Sequence, residues 1–255
     1  MPESRETVAS FRNGIELLRS FDAAHRRQTI SDAAARMGLS RAAARRLLLT
    51  LCDTGLARSD GKHFELTAGV LEIGQNFLAG MNEIEIVRLV LQNYVRRTGE
   101  AASAAMLVGH DVIYLDRVPA PARPPAVPVG AGMRRAAHAT AVGHVLLSAL
   151  TAKELDRFLS TAALDAYTPH TLTTQRSLRA RLAEVRKQGF AISNEEFLLG
   201  LRSVAVPVPG VAAGTRIGIA SGVPAARVQE AEMRTRLLSP LREAAETIGA
   251  SIARA

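Results

Sequence analysis

At 255 residues the chain has room for two domains, and a composition of 47% hydrophobic and 22% charged residues excludes a disordered polymer. The formal charge of +8 favours polyanionic partners, and residues 26–63 concentrate it, with eight Lys/Arg against three acids. One cysteine, Cys52, excludes an internal disulfide framework. The absence of a leader-like N-terminus, and of any apolar run of the ~18 residues that span a bilayer, predicts a cytoplasmic protein with no membrane partner.

Residues 8–24 place Val8, Phe11, Ile15, Leu18 and Phe21 at helical spacing, which predicts a support helix for a three-helix core. Residues 30–37 form a short helix broken by Gly38. Ser40 then offers an N-cap hydroxyl to a second helix, where Ala44, Leu47, Leu48 and Leu51 make one apolar stripe. Arg41, Ala42, Arg45 and Arg46 fall on its other faces. Small and cationic side chains there suit a DNA major groove, because the first permit close approach and Arg can fork onto guanine or phosphate. Asp60-Gly61 predicts a hairpin of two short strands whose tip carries Arg58, Lys62 and His63, completing a winged helix-turn-helix over residues 30–67. Cys52, at the end of the second helix, reads as a small buried hydrophobe.

Residues 70–78 are amphipathic and end at Gly80, as a linker helix would. A helix over 83–97 presents Ile84, Val87, Leu91 and Tyr94. The period then changes to two: 101–108 and 112–118 predict an antiparallel hairpin about Gly109-His110-Asp111, followed by a stiff proline loop at 119–125. Helices are expected at 139–150, after the capping box Thr151–Glu154, and at 178–187 up to Gly189; strands at 190–194, 202–208 and 216–221. The tail from Val228 is helical, kinked or divided by Pro240. This is an α+β pattern around a largely antiparallel sheet, large enough to enclose a ligand.

The chemistry-bearing motifs argue against catalysis. Nucleophile-elbow, phosphate-loop and dinucleotide signatures are missing, and His138 and His144 lack a ligand-like spacing, so no catalytic residue, cofactor or metal is expected. Glu195-Glu196 are neighbours, which in a strand point to opposite faces rather than forming an acid/base pair. On 201–205, alternation puts Leu201, Ser203 and Ala205 on one face; Ser203 there either binds a ligand or bonds backbone. Arg134-Arg135 precede a helix start, where they either meet a carboxylate or sit in solvent.

In this order the pieces resemble the IclR family of bacterial transcriptional regulators over essentially the whole chain. The resemblance rests on residues 38–51 (Gly-Leu-Ser-Arg-Ala-Ala-Ala-Arg-Arg-Leu-Leu-Leu-Thr-Leu) and 138–143 (His-Ala-Thr-Ala-Val-Gly). It rests also on Gly189-Phe190 leading to Glu195-Glu196, and on 200–208 (Gly-Leu-Arg-Ser-Val-Ala-Val-Pro-Val). The recognition-helix wording and residues 60–67, 71–74 and 200–208 look like the branch controlling the β-ketoadipate pathway, whose members respond to protocatechuate, 4-hydroxybenzoate, β-ketoadipate or similar acids.

The resemblance implies a winged helix-turn-helix domain (1–68), a linker helix (69–81) and a GAF-like effector-binding domain (82–255). It implies homodimers, paired into dimers of dimers, on palindromic double-stranded operators. DNA contacts are expected from Ser40, Arg41, Ala42, Arg45, Arg46, Arg58, Lys62 and His63. The family pocket lies between the sheet and the segment matching 136–143, so a small-molecule effector is expected at Thr140, Ala141 and Gly143, and at Glu195, Leu201 and Ser203. Arg134, His138, Ser193, Ala220 and Ser221 are expected beside them. Two departures, Arg135-Ala136 where many relatives have Leu-Pro and His144 where they have Lys or Arg, adjoin that pocket. The expected function is a regulator whose operator binding or activation is controlled by a small aromatic or dicarboxylic acid. The rival is an enzyme or ligand-binding protein whose helix-turn-helix serves protein interaction.

Overall fold

The computed structural model describes residues 7–80, 83–121, 130–211 and 216–254, and the chain divides into two units, Met1–Gly80 and Met81–Ala255. Residues 1–6, on which the leader expectation rests, residues 81–82 at the expected domain junction, and 122–125 of the proline loop lie outside the described residues.

In the first unit, Thr29 and Asp32 cap each other at the start of α2 (Ile30–Met37), and Gly38, at φ 62°, ends it in the left-handed conformation that glycine adopts without penalty. Helices α1 (Ala9–Ser20) and α3 (Arg41–Asp53) complete the trio. Leu17, Ala33, Ala44, Leu48, Leu51 and Phe64 form its core. Two expectations change. Val8 and Phe11 are 67% and 72% exposed, because the stripe meets the core at its C-terminal part, where Leu18 and Phe21 pack beside the buried Leu17. The wing is a three-stranded sheet in which β1 (Arg27–Thr29), not foreseen, pairs with β3 (His63–Leu66), which pairs in turn with β2 (Ala57–Ser59). Gln28, buried in β1, ties it to α1 through Nε2 donating to the Ser20 carbonyl at 3.1 Å. Helix α4 (Gly69–Ala79) follows.

The second unit is built on a six-stranded antiparallel sheet in the order β6-β5-β4-β9-β8-β7. Its strands are β4 (Ala102–Val108), β5 (Asp111–Val118), β6 (Arg134–Ala136), β7 (Ala191–Asn194), β8 (Leu201–Pro207) and β9 (Ile217–Pro224). Helix α5 (Glu83–Thr98) buries Ile84, Val87, Leu91 and Tyr94 as its spacing predicts. After β6 comes a 3-10 turn, Ala137–Ala139, and then α6 (Ala141–Ser148), buried along its whole length. Gly218 on β9 makes room for it: a Cβ there would lie 2.8 Å from a methyl of Val142. Helices α7 (Ala152–Thr161), with the expected Thr151–Glu154 capping box, and α8 (Gln175–Gln188) cover α6. The tail divides as expected: α9 (Glu230–Glu232) passes through a π-helical turn, Met233–Leu238, into α10 (Ser239–Ile252), with Pro240 in its first turn.

Candidate nucleic-acid interface and ligand cavity

Helix α3 is held by its cap and its core face. Ser40 Oγ accepts the Ala43 amide at 3.2 Å, so this hydroxyl is committed to the helix start, while Ala44, Leu48 and Leu51 are buried. Arg41, Ala42, Arg45 and Arg46 are all exposed. Other arginines of the unit are held by its own acids: Arg27 by Asp60, Arg36 by Asp22 at 3.3 Å, and Arg58 by Glu65 at 2.7 Å. The side chains of Arg41, Arg45, Arg46 and Lys62 have no hydrogen-bond or ion-pair partner among the described residues.

The wing residues occupy three different places. Arg58 is not at the tip; it lies mid-strand on β2, directly opposite Glu65 on β3. His63 opens β3, half-buried, with Nδ1 3.6 Å from Asp60. Lys62 is the tip cation. Asp60 Oδ1 accepts the amides of His63 at 2.7 Å and Lys62 at 3.0 Å, and these bonds hold its carboxyl down to about 2. The turn acid is therefore a backbone organiser.

In the second unit a cavity of about 80 Å³ lies between the sheet and the start of α6, room for several waters or a small organic molecule. Of the expected effector residues, Thr140, Ala141, Ser193, Leu201, Ser203 and Ala220 line it. The sheet register explains which others join them. Ser103 on β4 pairs with Arg117 on β5, but a bulge at Ala104/Ala105 makes Ala105 pair with Tyr114. Arg117 and Tyr114 consequently face the same side, with Leu115 as the extra residue. Val112 pairs with Arg135, which brings β6's Arg135 to that face too. Arg117, Tyr114, Ser103 and Phe197 line the cavity and were not foreseen; Arg135, expected beside the pocket as a departure from its relatives, lines it too.

Its chemistry is cationic and hydroxylic. Among the described lining residues two are guanidiniums and none is a carboxylate. Burial pushes the Tyr114 phenol up while Arg135 and Arg117 pull it down, so both cations reach its field. Arg135 donates from Nη1 to the Arg134 carbonyl at 2.9 Å and lies 5.2 Å over the Phe197 ring. Ser103, Ser193 and Ser203 make no side-chain hydrogen bond among the described residues. Thr140 Oγ1 accepts the Gly143 amide at 3.1 Å as the N-cap of α6; Ala141 and Val142, its first two residues, line the cavity. Their amides are free of the intrahelical ladder, as in any first turn.

Five expected residues lie outside the lining, each for a local reason. Arg134 points outward to Asp111, 2.9 Å away. His138 is buried behind the wall: it bonds the Asp165 carbonyl at 3.0 Å and rests against Tyr167, which stacks on Phe197. Gly143 packs under Ala137, and a Cβ there would stand 2.0 Å from that residue's carbonyl oxygen. Ser221 faces away, donating to the Ala101 carbonyl at 2.9 Å. Glu195 ends β7 with φ 62°, and its Oε2 accepts the Gly200 amide at 2.7 Å, holding the 195–200 loop.

That backbone bend also overturns the strand geometry expected for Glu195-Glu196. Glu196 is buried and accepts from Arg181 at 2.8 Å, with His144 3.8 Å from its other oxygen. His144, fully buried, donates from Nε2 to the His138 carbonyl at 2.7 Å; burial holds its pKa at about 4, so the ring is neutral at pH 7. Burial drives the Glu196 pKa upward against the pull of Arg181. These groups brace the turn and loop that flank the cavity. No group of His, Cys, Asp and Glu suited to hold a metal occurs among the described residues.

Comparison with known proteins joins the two units. Residues 10–61 match the IclR helix-turn-helix domain, and residues 75–250 the bacterial transcriptional regulator IclR C-terminal family. The chain is 32% identical to the Pca regulon regulatory protein of Pseudomonas putida over 231 residues, 91% of this chain and 79% of that protein. It is 32% identical to the p-hydroxybenzoate hydroxylase transcriptional activator of Acinetobacter baylyi, over 80% of this chain and 77% of that one. The crystal structure of a putative transcriptional regulator from Rhodococcus sp. RHA1 superposes with a TM-score of 0.81 at 34% identity, covering 97% and 99% of the two chains.

Proposed function

Because this chain belongs to the IclR family of bacterial transcriptional regulators, we propose that its cavity takes a small carboxylic acid, a hydroxylated aromatic or dicarboxylic one, as the effector that sets operator binding or activation. Families and relatives of this kind are DNA-binding regulators with an effector domain, and not enzymes, which leaves the rival reading without support.

One observation carries the choice of ligand: Arg135, Arg117 and the α6 N-terminus converge on a cavity lined by three unpartnered hydroxyls and no acid among the described residues. Guanidiniums and helix amides are the groups that recognise carboxylates, and serine hydroxyls suit a phenol or a second oxygen function. The Acinetobacter baylyi relative named above is, by its own name, an activator of p-hydroxybenzoate hydroxylase, an enzyme that acts on such an acid. Within the expected set, Thr140, Ala141, Ser193, Leu201, Ser203 and Ala220 are the direct neighbours of the ligand. Arg134, His138, Gly143, Glu195 and Ser221 act by holding the walls.

On the DNA side, the same reading assigns contacts to α3 and the wing, with Ser40 through its cap and Lys62 through its free ammonium. Exposed apolar side chains at α1 (its N-cap Val8, and Phe11) and on α4 (Leu71, Ile73 and Phe77, 68%, 57% and 54% exposed) support a homodimer through the first unit. A two-fold dimer reads a palindromic operator, its half-sites about one helical turn or a multiple apart; pairing of dimers and a cytoplasmic location belong to the same proposal. So does the division into a reader (1–68), linker helix (69–81) and effector domain (82–255).

Thermal unfolding against protocatechuate, 4-hydroxybenzoate and β-ketoadipate tests the effector. A bound acid at 100 times its dissociation constant stabilises by about 2.7 kcal/mol. If no acid of the panel shifts the transition, while the protein still binds DNA, the proposed ligand class is wrong.

A further inference from the structure

The solvent face of α3 is not uniform, and its geometry divides the labour among its arginines. At about 100° per residue, Ala42 and Arg46, one turn apart, point within about 30° of the direction opposite the buried Ala44–Leu48–Leu51 stripe. Leu49, 42% exposed, flanks that line one turn on. Arg45 stands about a right angle from it, and Arg41 lies further round on the same side. Asp53 closes the line at the C-terminal end, where its carboxylate repels phosphate, so the DNA-facing part of the helix is its first two turns.

A recognition helix enters the major groove with the face turned from its own core. Resting on the DNA-binding reading above, we propose that Arg46 reads a guanine through O6 and N7, that Ala42 packs on the methyl of an adjacent thymine, and that Arg41 and Arg45 grip the phosphates of one flanking strand. The exclusions are as informative. The exposed line holds no Asn or Gln for adenine's N6/N7 pair, and no Asp or Glu in its first two turns for cytosine's N4. Both hydrogen bonds from Arg46 are available, since it has no partner among the described residues; so are those of Arg41 and Arg45. Arg58 is different, being paired across the wing with Glu65. Specificity thus resides in one cation of α3 and one methyl-sized gap, and affinity in the two cations beside them.

The test uses full-length protein to select duplexes from a random pool. The selected site is then remade with 7-deazaguanine at each guanine, which removes N7, and with deoxyuridine at each thymine, which removes the methyl. Wild type should lose about fivefold or more in affinity at one guanine per half-site, and Arg46→Ala should no longer feel that replacement. Deoxyuridine at a neighbouring thymine should weaken wild type but not Ala42→Gly. Arg41→Ala and Arg45→Ala should each bind all sequences more weakly with their ranking unchanged, and reduce the slope of log affinity on log salt by about 1 per half-site. All four positions are exposed, and circular dichroism verifies the fold of each variant. If Arg45→Ala or Arg41→Ala levels the ranking, or Arg46→Ala keeps the guanine penalty, the division is overturned while DNA binding stands. If no sequence is enriched at low salt, the DNA reading falls and the division falls with it.

Discussion

Gly143 lies so close beneath Ala137 that a methyl group at 143 would stand 2.0 Å from the Ala137 carbonyl oxygen and 2.5 Å from its Cα. The 3-10 turn before α6 and the first turn of α6 are thereby pressed together, and the cavity-lining residues Ala141 and Val142 sit on that junction. Neither obstacle is a side chain that can swing aside. Gly143→Ala should cost about 1–3 kcal/mol, the range for overpacking, and weaken ligand binding as the turn is displaced. Urea unfolding measures it; an unchanged midpoint means the turn yields freely.

Adjacent arginines on β6 should behave differently. Arg135 faces the cavity, while Arg134 faces Asp111. Arg135→Ala should weaken binding of a carboxylate ligand by about 10- to 150-fold, the range for a charged hydrogen bond, and Arg134→Ala should leave it nearly unchanged. Calorimetric titration of both variants with the acid that stabilises wild type decides this, and equal losses would refute the assignment.

Stability should fall with acid through His144. Its pKa in the folded chain is about 4, against 6.5 for the free side chain. Between those values the unfolded chain takes up a proton that the folded one refuses. The stabilising contribution is therefore complete above pH 6.5 and shrinks as pH falls toward 4, by at most about 1.4 kcal/mol per pH unit. Glu196 opposes it: burial raises its pKa above the ordinary carboxylate value, so its contribution is present at low pH and declines as pH rises through the raised pKa. His144→Gln keeps an N–H for the His138 carbonyl and removes the titration. From pH 7 to 5 its urea midpoint should fall by less than wild type's, or rise, because the opposing Glu196 contribution is then left alone; parallel curves would show that His144 is not held neutral.

Glu195 offers a backbone test. It is the non-glycine residue with positive φ among those described, and its carboxylate caps Gly200. Alanine and glycine both delete the cap, but only alanine retains the left-handed strain. Glu195→Ala should be less stable than Glu195→Gly by about 1 kcal/mol. Equal stabilities would mean that the loop relaxes out of this conformation.

How much of this was legible in the sequence depends on how local each feature is. The reader helix was, because its cap, period and cationic face are written within fourteen consecutive residues, Ser40 to Asp53. So were Ser193, Leu201, Ser203 and Ala220, whose strands carry the motif and alternate regularly. Strands β1 and β6 were not: each is three residues long and exists through pairing with a partner remote in sequence. Without β6, the effector was assigned to Arg134, and Arg135 was expected only beside the pocket. Phe11 marks another boundary, since periodicity tells which residues share a face but not whether that face meets a core. Gly143 was found by its motif, yet its role is steric and becomes visible once Ala137 lies over it.

The extra residue in β5 has an evolutionary corollary. Strand alternation running back from Arg117 without interruption would turn Leu115 inward and Tyr114 outward; the bulge beside Ala105 reverses them. Sliding that irregularity past Tyr114, toward the Gly109 turn, would exchange a phenol for an isobutyl group in the cavity wall without substituting any amino acid. A lineage can therefore remodel the wall of this cavity by moving a bulge, through changes that lie outside the lining residues. Descendants that did so would still align residue for residue across the site while responding to different compounds.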